Sequence, residues 1–128
     1  MDRWFWVCVG GALGTGVRYG VALWANDRFG AALPYGTLIV NLMGCFAMAL
    51  VMETALHVAS FPPVLRLALT TGFMGGLTTY SAFNYDVTRM ISDGHWGTAA
   101  LYFLLTAAGC FGAGLAGMAL SRRLVGWS

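Results

Sequence analysis

The sequence contains no lysine and very little charge of any kind. Its 128 residues include seven Arg, four Asp and one Glu, so 9% of the chain is charged, against about 25% in a soluble domain. The absence of lysine excludes a P-loop nucleotide site and all lysine-based chemistry. So few charges cannot cover a water-facing surface. A net charge of +2 is also too small for nucleic-acid binding. Cysteine is scarce: Cys8, Cys45 and Cys110 lie in apolar surroundings, and no C-x-x-C spacing occurs. That argues against a zinc site or a disulfide framework and for small buried thiols. No pair of carboxylates, Ser-His-Asp set or His/Cys cluster falls inside an apolar stretch, so the chain has no apparatus for enzymatic catalysis.

What the sequence has in abundance is apolar. Hydrophobic residues make up 59% of it and the mean hydropathy is +0.71, the values of an integral membrane protein. A helix needs about 20 residues to cross the hydrocarbon core, and four segments are long enough: Trp4 to Ala25, Tyr35 to Leu56, Leu65 to Met90, and Trp96 to Leu120. Trp4 to Val17 reads as a retained span and not as a cleaved signal, because Asp2 weakens a basic leader and no A-x-A site follows. Short turn-rich connectors separate the segments: Asn26 to Gly30, Ser60 to Pro63, and Ser92 to His95. Pro34 suits the start of the second helix. Trp4, Trp6, Trp24, Trp96 and Trp127 stand near segment ends, as an aromatic belt requires. No domain boundary, low-complexity stretch or internal repeat is visible, so residues 1–128 read as one all-α membrane domain.

Four crossings put both termini on one side with Arg3, Arg66, Arg122 and Arg123. Arg28 and Arg89 lie on the other side. This weak positive-inside bias permits insertion both ways, and two oppositely inserted copies form an antiparallel dimer, the assembled counterpart of an inverted repeat. Glycine is frequent. Gly10/Gly14, Gly16/Gly20 and Gly72/Gly76 have the GxxxG spacing that lets membrane helices approach closely. Gly112, Gly114 and Gly117 match a dinucleotide fingerprint, but no strand precedes them and no acidic residue follows, so they read as packing residues.

Polar groups within the segments are costly and call for a reason. Thr37, Asn41 and Cys45 lie on one face of the second segment at i, i+4 and i+8. Tyr102, Thr106 and Cys110 repeat the spacing on the fourth. Both stripes are uncharged. They suit the lining of a narrow path and equally suit hydrogen bonds between helices. Asn41 offers both a donor and an acceptor at mid-segment. Arg18 either snorkels to the interface or faces a wet vestibule. Glu53, His57, Asp86, Arg89 and His95 lie toward segment ends, where interfacial solvation is the simple expectation. The third segment reads Thr70-Thr71-Gly72-Phe73-Met74-Gly75-Gly76-Leu77-Thr78-Thr79-Tyr80-Ser81-Ala82-Phe83-Asn84. This run predicts a helix break near 75–79. Freed carbonyls there need a partner, and hard cations take such oxygens. Beyond it, Tyr80 and Phe83 share a face, and the positive edges of their rings can hold a small anion without a formal charge.

These segments resemble the Fluc/CrcB family of fluoride channels. The resemblance covers essentially the whole chain and rests on Gly10-Gly11-Ala12-Leu13-Gly14 with Arg18, on Gly36 to Leu42, and above all on Thr71 to Phe83. It implies a dual-topology antiparallel homodimer in a microbial inner membrane. Each dimer would have two pores that export fluoride passively and protect the cell from fluoride accumulated in acid. It also implies a central structural sodium ion held by the backbone carbonyls of Gly75 and Thr78. The resemblance assigns the fluoride pathway to Asn41, Thr37, Tyr80, Ser81, Phe83, Tyr102, Thr106 and Cys110, with Arg18 in a vestibule. Its implied partners are fluoride, a second copy of the chain and the lipid bilayer, with no nucleic acid. Two residues depart from the family pattern: Tyr80 stands where phenylalanine is usual, and Cys110 where serine is common. Two other readings compete with the channel. A small multidrug exporter would need a membrane carboxylate in the first segment, which has none between Arg3 and Asp27. A non-transporting membrane subunit would use the same glycines and threonines for packing alone.

Overall fold

The computed structural model describes residues 2–126, so Trp127 lies outside the described residues. The helical elements are α1 (Asp2–Phe29), α2 (Tyr35–His57), α3 (Pro63–Leu67), a wider π-helical segment (Ala68–Met74), α4 (Gly75–Leu77), α5 (Tyr80–Ser92) and α6 (Trp96–Leu124). No strand occurs among the described residues. The elements form four rods, the third of which is the segmented run from α3 to α5. α2 and α6 are long and apolar enough, by length and composition, to cross a membrane, each with a mean hydropathy of 1.8 over its most apolar window. α1, with 28 residues, is roughly 42 Å long at 1.5 Å per residue.

The rod ends follow from local chemistry. α1 stops at Gly30, whose φ of 76° suits the left-handed turn that closes a helix, and the Gly30 N–H donates to Asn26 O at 3.0 Å. Gly94, with φ 79°, ends α5 in the same manner. α2 begins immediately after Pro34, whose carbonyl accepts from Leu38 N–H at 3.1 Å. Pro63 opens α3 at a position where its missing N–H costs nothing.

Two pairs of rods run parallel and in step. In the first, α1 lies against the third rod through the facing pairs Gly10/Gly14 and Gly72/Gly76. A Cβ on Gly14 would collide with Phe73 O and stand 2.9 Å from Leu77 N. One on Gly76 would collide with Gly11 O and stand 3.0 Å from Thr15 N. Here backbone meets backbone, as small-residue membrane interfaces allow. The Gly16/Gly20 pair has open space on its side of α1 and takes no part. The second pair is α2 with α6. There Gly117 lies against Phe46 O, and Gly109 is within reach of the Leu42 side chain, so two of the α6 glycines serve packing. Gly36 brings α2 onto Ala22 of α1.

The interior is small. Val40, Met74 and Leu77 form its centre, with Val21, Ala47, Met48 and Phe73 packed around them. Large apolar side chains instead crowd the surface. Trp4 is 80% exposed, Leu124 71%, Phe111 70% and Leu104 63%. A soluble domain does not leave an apolar patch of that extent in water, and this surface suits lipid. Trp4, Trp6, Trp24 and Trp96 are among the exposed rings, near the rod ends where an aromatic belt sits.

The two GxxxG pairs of α1 provide a matched test of this packing. Gly14→Ala should lower stability by about 2 kcal/mol, because its methyl meets backbone that cannot yield. Gly16→Ala should change stability by no more than about 0.5 kcal/mol. Thermal unfolding midpoints in one detergent measure both, and equal midpoints would refute the close approach.

Candidate functional site

The junction between α4 and α5 organises the site. Gly75, Gly76 and Leu77 are helical, and the chain leaves the helix at Thr78 (φ −87°, ψ 154°) and Thr79 (φ −152°, ψ 118°). Thr78 still donates its N–H and its hydroxyl to Met74 O, at 2.9 and 2.8 Å. The Thr79 N–H, which in a continuous helix would go to Gly75 O, goes to Asn41 Oδ1 at 2.9 Å. Asn41 Nδ2 returns a bond to Thr79 O at 3.2 Å. One buried amide thus bonds both backbone polar groups of Thr79. The Thr79 hydroxyl caps α5 by accepting from Ala82 N–H at 3.2 Å, and Ser81 Oγ lies 3.2 Å from it.

The stripes on α2 and α6 face each other. Because the two helices are parallel, residues 65 apart in sequence stand at equal height. Thr37 lies near Tyr102 and Asp86. Asn41 and Thr106 line one groove. Cys45 and Cys110 line the same two grooves. These are three rungs of a ladder. Above the first rung opens a polar pocket of about 630 Å³ whose wall includes Asp86, Arg89, Asp93 and His95. Below the third, Thr54 donates its hydroxyl to Leu50 O at 2.7 Å, and Ser121 Oγ donates to Thr54 Oγ1 at 2.8 Å. Arg122 Nε donates to Glu53 Oε1 at 2.8 Å.

Beside the second and third rungs lies a groove of about 350 Å³ formed by Asn41, Cys45, Thr78, Thr79, Tyr80, Phe83, Phe103, Thr106, Ala107 and Cys110. It gathers most of the pathway residues expected from the sequence. Phe83 is 5% exposed and packs against Tyr80, Tyr102 and Phe103 with ring centroids 5.8, 5.3 and 5.7 Å away. The Thr106 hydroxyl is buried without a hydrogen-bond partner among the described residues. An orphaned buried hydroxyl is costly, and this one belongs to a groove wall.

The two aromatic residues are not equivalent. Tyr80 is 76% exposed and stands at the rim, while Phe83 is enclosed. The groove walls come from α2, the α4–α5 junction, α5 and α6, so Arg18 on α1 is not brought to it, and Gly75 lies behind Thr78. Thr37 sits one rung higher, and Ser81 is exposed beside Thr79.

Two residues differ from the solvation expected of them. Glu53 is 7% exposed and ion-paired, because Arg122, 69 residues away, reaches it across the α2–α6 contact. Asp86 accepts from the Tyr102 hydroxyl at 3.4 Å, placing a carboxylate at the top of the ladder. No sequence spacing couples residues so far apart. The one available signal was the scarcity of acidic residues, which makes each of them worth placing.

Asn41→Ala removes both bonds to Thr79. Leaving a buried donor unsatisfied costs about 1–3 kcal/mol, so amide exchange at Thr79 should accelerate about 5- to 150-fold. Thr37→Ala should leave it unchanged. Hydrogen–deuterium exchange with peptide-level readout measures both, and protection of Thr79 in Asn41→Ala equal to the parent would refute the clamp.

Comparison with known proteins agrees with this architecture. Residues 5–118 match the family model described as CrcB-like protein, Camphor Resistance (CrcB). A protein named fluoride-specific ion channel FluC from Sorangium cellulosum is 46% identical over 125 residues, 98% of each chain. One of the same name from Anaeromyxobacter dehalogenans is 46% identical over 126 residues, 98% of this chain and 100% of the other. Another, from Roseiflexus, is 40% identical over 114 residues, 89% of each chain. Matches of this length and identity, on a helical chain with a lipid-compatible surface, mean that the protein belongs to the CrcB family.

Proposed function

We propose that this chain is a fluoride-selective channel rather than an enzyme. In this reading it acts as an antiparallel, dual-topology homodimer that crosses a microbial inner membrane four times per copy. Each dimer exports fluoride passively through two pores and confers fluoride resistance. The observation that carries the reading is the groove beside Asn41, walled by neutral donors and ring edges, in a relative of proteins named fluoride-specific ion channels.

Fluoride is small and strongly hydrated, so a narrow path must replace its water. Asn41 has two amide hydrogens, of which one goes to Thr79 O and the other is left for an anion. The unpartnered Thr106 hydroxyl is a second donor, and the Phe83 ring edge contributes a positive quadrupole rim. None of these groups carries a formal charge, so none binds an anion too tightly to release it, which conduction requires. Ser81 and Tyr80 extend the path at the rim. Thr37 and Tyr102 lead toward the polar pocket, and Arg18 on α1 would serve a vestibule on this reading. Cys110 supplies a thiol, a weaker donor than the serine hydroxyl common in the family.

A central sodium ion is part of the proposal. The carbonyls of Gly75 and Thr78 would hold it, with the same pair from a second copy. The donor chemistry fits, since Gly75 O has lost its helical donor to Asn41 and hard cations take carbonyl oxygen. When bound, the ion supplies fixed positive charge near the junction.

The test is fluoride efflux from potassium-fluoride-loaded liposomes, started with valinomycin and read with a fluoride electrode, with chloride measured in parallel. Fast fluoride release with chloride retained is expected. Absence of release from correctly folded protein would favour the non-transporting subunit. Phe83→Ile should slow efflux about tenfold or more, the equivalent of losing about 1.4 kcal/mol of ring-edge interaction, and Asn41→Asp should abolish it by placing negative charge in the path. Tyr80→Phe should conduct like the parent. Parental flux in Phe83→Ile would reduce that ring to packing.

A further inference from the structure

The third rung of the ladder is made of sulfur, and more sulfur continues below it. A second groove, of about 450 Å³, shares Cys45, Thr78 and Cys110 with the first. Its remaining wall includes Met48 and Met52 on α2 and Met118 on α6. Cys45, Met48 and Met52 follow one face of α2 at i, i+3 and i+7. Cys110, Gly114 and Met118 follow one face of α6 at i, i+4 and i+8. The parallel helices bring the two columns opposite each other. Both cysteines line both grooves, and both are partly exposed, not sealed in the interior. Met118 also accepts from Arg122 Nη2 at 3.4 Å, so its sulfur is held in place.

Thiolates and thioethers are soft ligands and select soft ions of low coordination number, such as Cu(I). Hard cations prefer oxygen and gain little from this wall. Two thiols at one height on facing helices, lining the same two grooves, are placed to share one ion.

We infer that Cys45 and Cys110 form a two-thiolate site for a soft metal cation in the wall between the two grooves, and that occupancy of this site closes the groove to anions. On binding, each S–H bond breaks and its proton leaves to water. Two metal–sulfur bonds form and no electron is transferred. With Hg²⁺ the product is a neutral dithiolate, and with Ag⁺ or Cu⁺ it carries one negative charge. Either product fills the third rung. The negative one also repels an anion beside Asn41 and Thr106. The metal site itself rests on geometry alone, whereas its effect on flux rests on the channel reading.

The experiment uses the full-length protein with Cys8→Ser, which removes the third thiol, exposed on α1. Titration with mercuric chloride should saturate at one ion per chain, with two protons released and thiolate-to-mercury absorption in the ultraviolet. Adding Cys110→Ser, which installs the residue common in the family, should weaken binding about a hundredfold or more, because the second thiolate no longer acts at high local concentration. Cys45→Ala should do the same. In liposomes, silver or mercuric ion should stop fluoride efflux in Cys8→Ser, and a small dithiol chelator should restore it. For each variant the readout is the ratio of flux with metal to flux without. Two ions bound per chain in Cys8→Ser, or equal affinity with and without Cys110, would overturn the site. Bridging by mercury in a protein that carries no fluoride would keep the site and remove the channel reading. Fluoride efflux without bridging would do the reverse.

Discussion

Everything near the centre of this protein depends on how one peptide meets its hydrogen-bonding needs. Where the chain leaves the helix at Thr78 and Thr79, the Thr79 N–H and C=O lose their helical partners in surroundings that offer little water. Unsatisfied backbone groups are expensive in such a medium. Asn41 meets both needs with one side chain, a pairing that no apolar residue can reproduce. The clamp ties α2 to the start of α5. It thereby sets where Phe83 sits against Tyr102 and Phe103. Gly44 makes the same junction sterically possible, since the Thr78 methyl occupies the space its Cβ would take.

The parallel pairing of alternate rods turns one-dimensional patterns into contacts. Facing glycines let α1 and the third rod touch backbone to backbone, which gives dispersion contact where the hydrophobic effect between membrane helices is absent. The α2–α6 pair holds a graded series of layers. From the polar pocket downward these are Thr37 with Tyr102 and Asp86, Asn41 with Thr106, the two cysteines, and finally Thr54 with Ser121 and Glu53 with Arg122. Hydrogen bonds at the lower end pin the register. The middle keeps donors in reserve, and that reserve is what the proposed fluoride path draws on.

Tyr80 and Phe83 show how far a pattern can be read. Their spacing put both on one face of a helix, and they are in ring contact. Their environments nevertheless differ, because α6 covers Phe83 and leaves Tyr80 at the rim. Tyr80, the departure that the resemblance marks, is thus the more exposed of the two.

By itself the sequence determined that this is a helical, lipid-facing chain, since no other surface can be made from 59% hydrophobic and 9% charged residues. It also placed Gly30 and Gly94 in connectors and Pro34 before a helix start, which depend on local backbone preferences, and it showed the two polar stripes, which follow from helical period. Only the tertiary structure decided what those stripes face. Asn41 turned out to serve the backbone of Thr79. Glu53 became a buried partner of Arg122, and Cys45 came to line the same grooves as Cys110. Each of these pairs is separated by 38 to 69 residues, and helical period carries no information across such a distance. The pairing came from the close approach of parallel rods, which is a property of packing and not of any single segment.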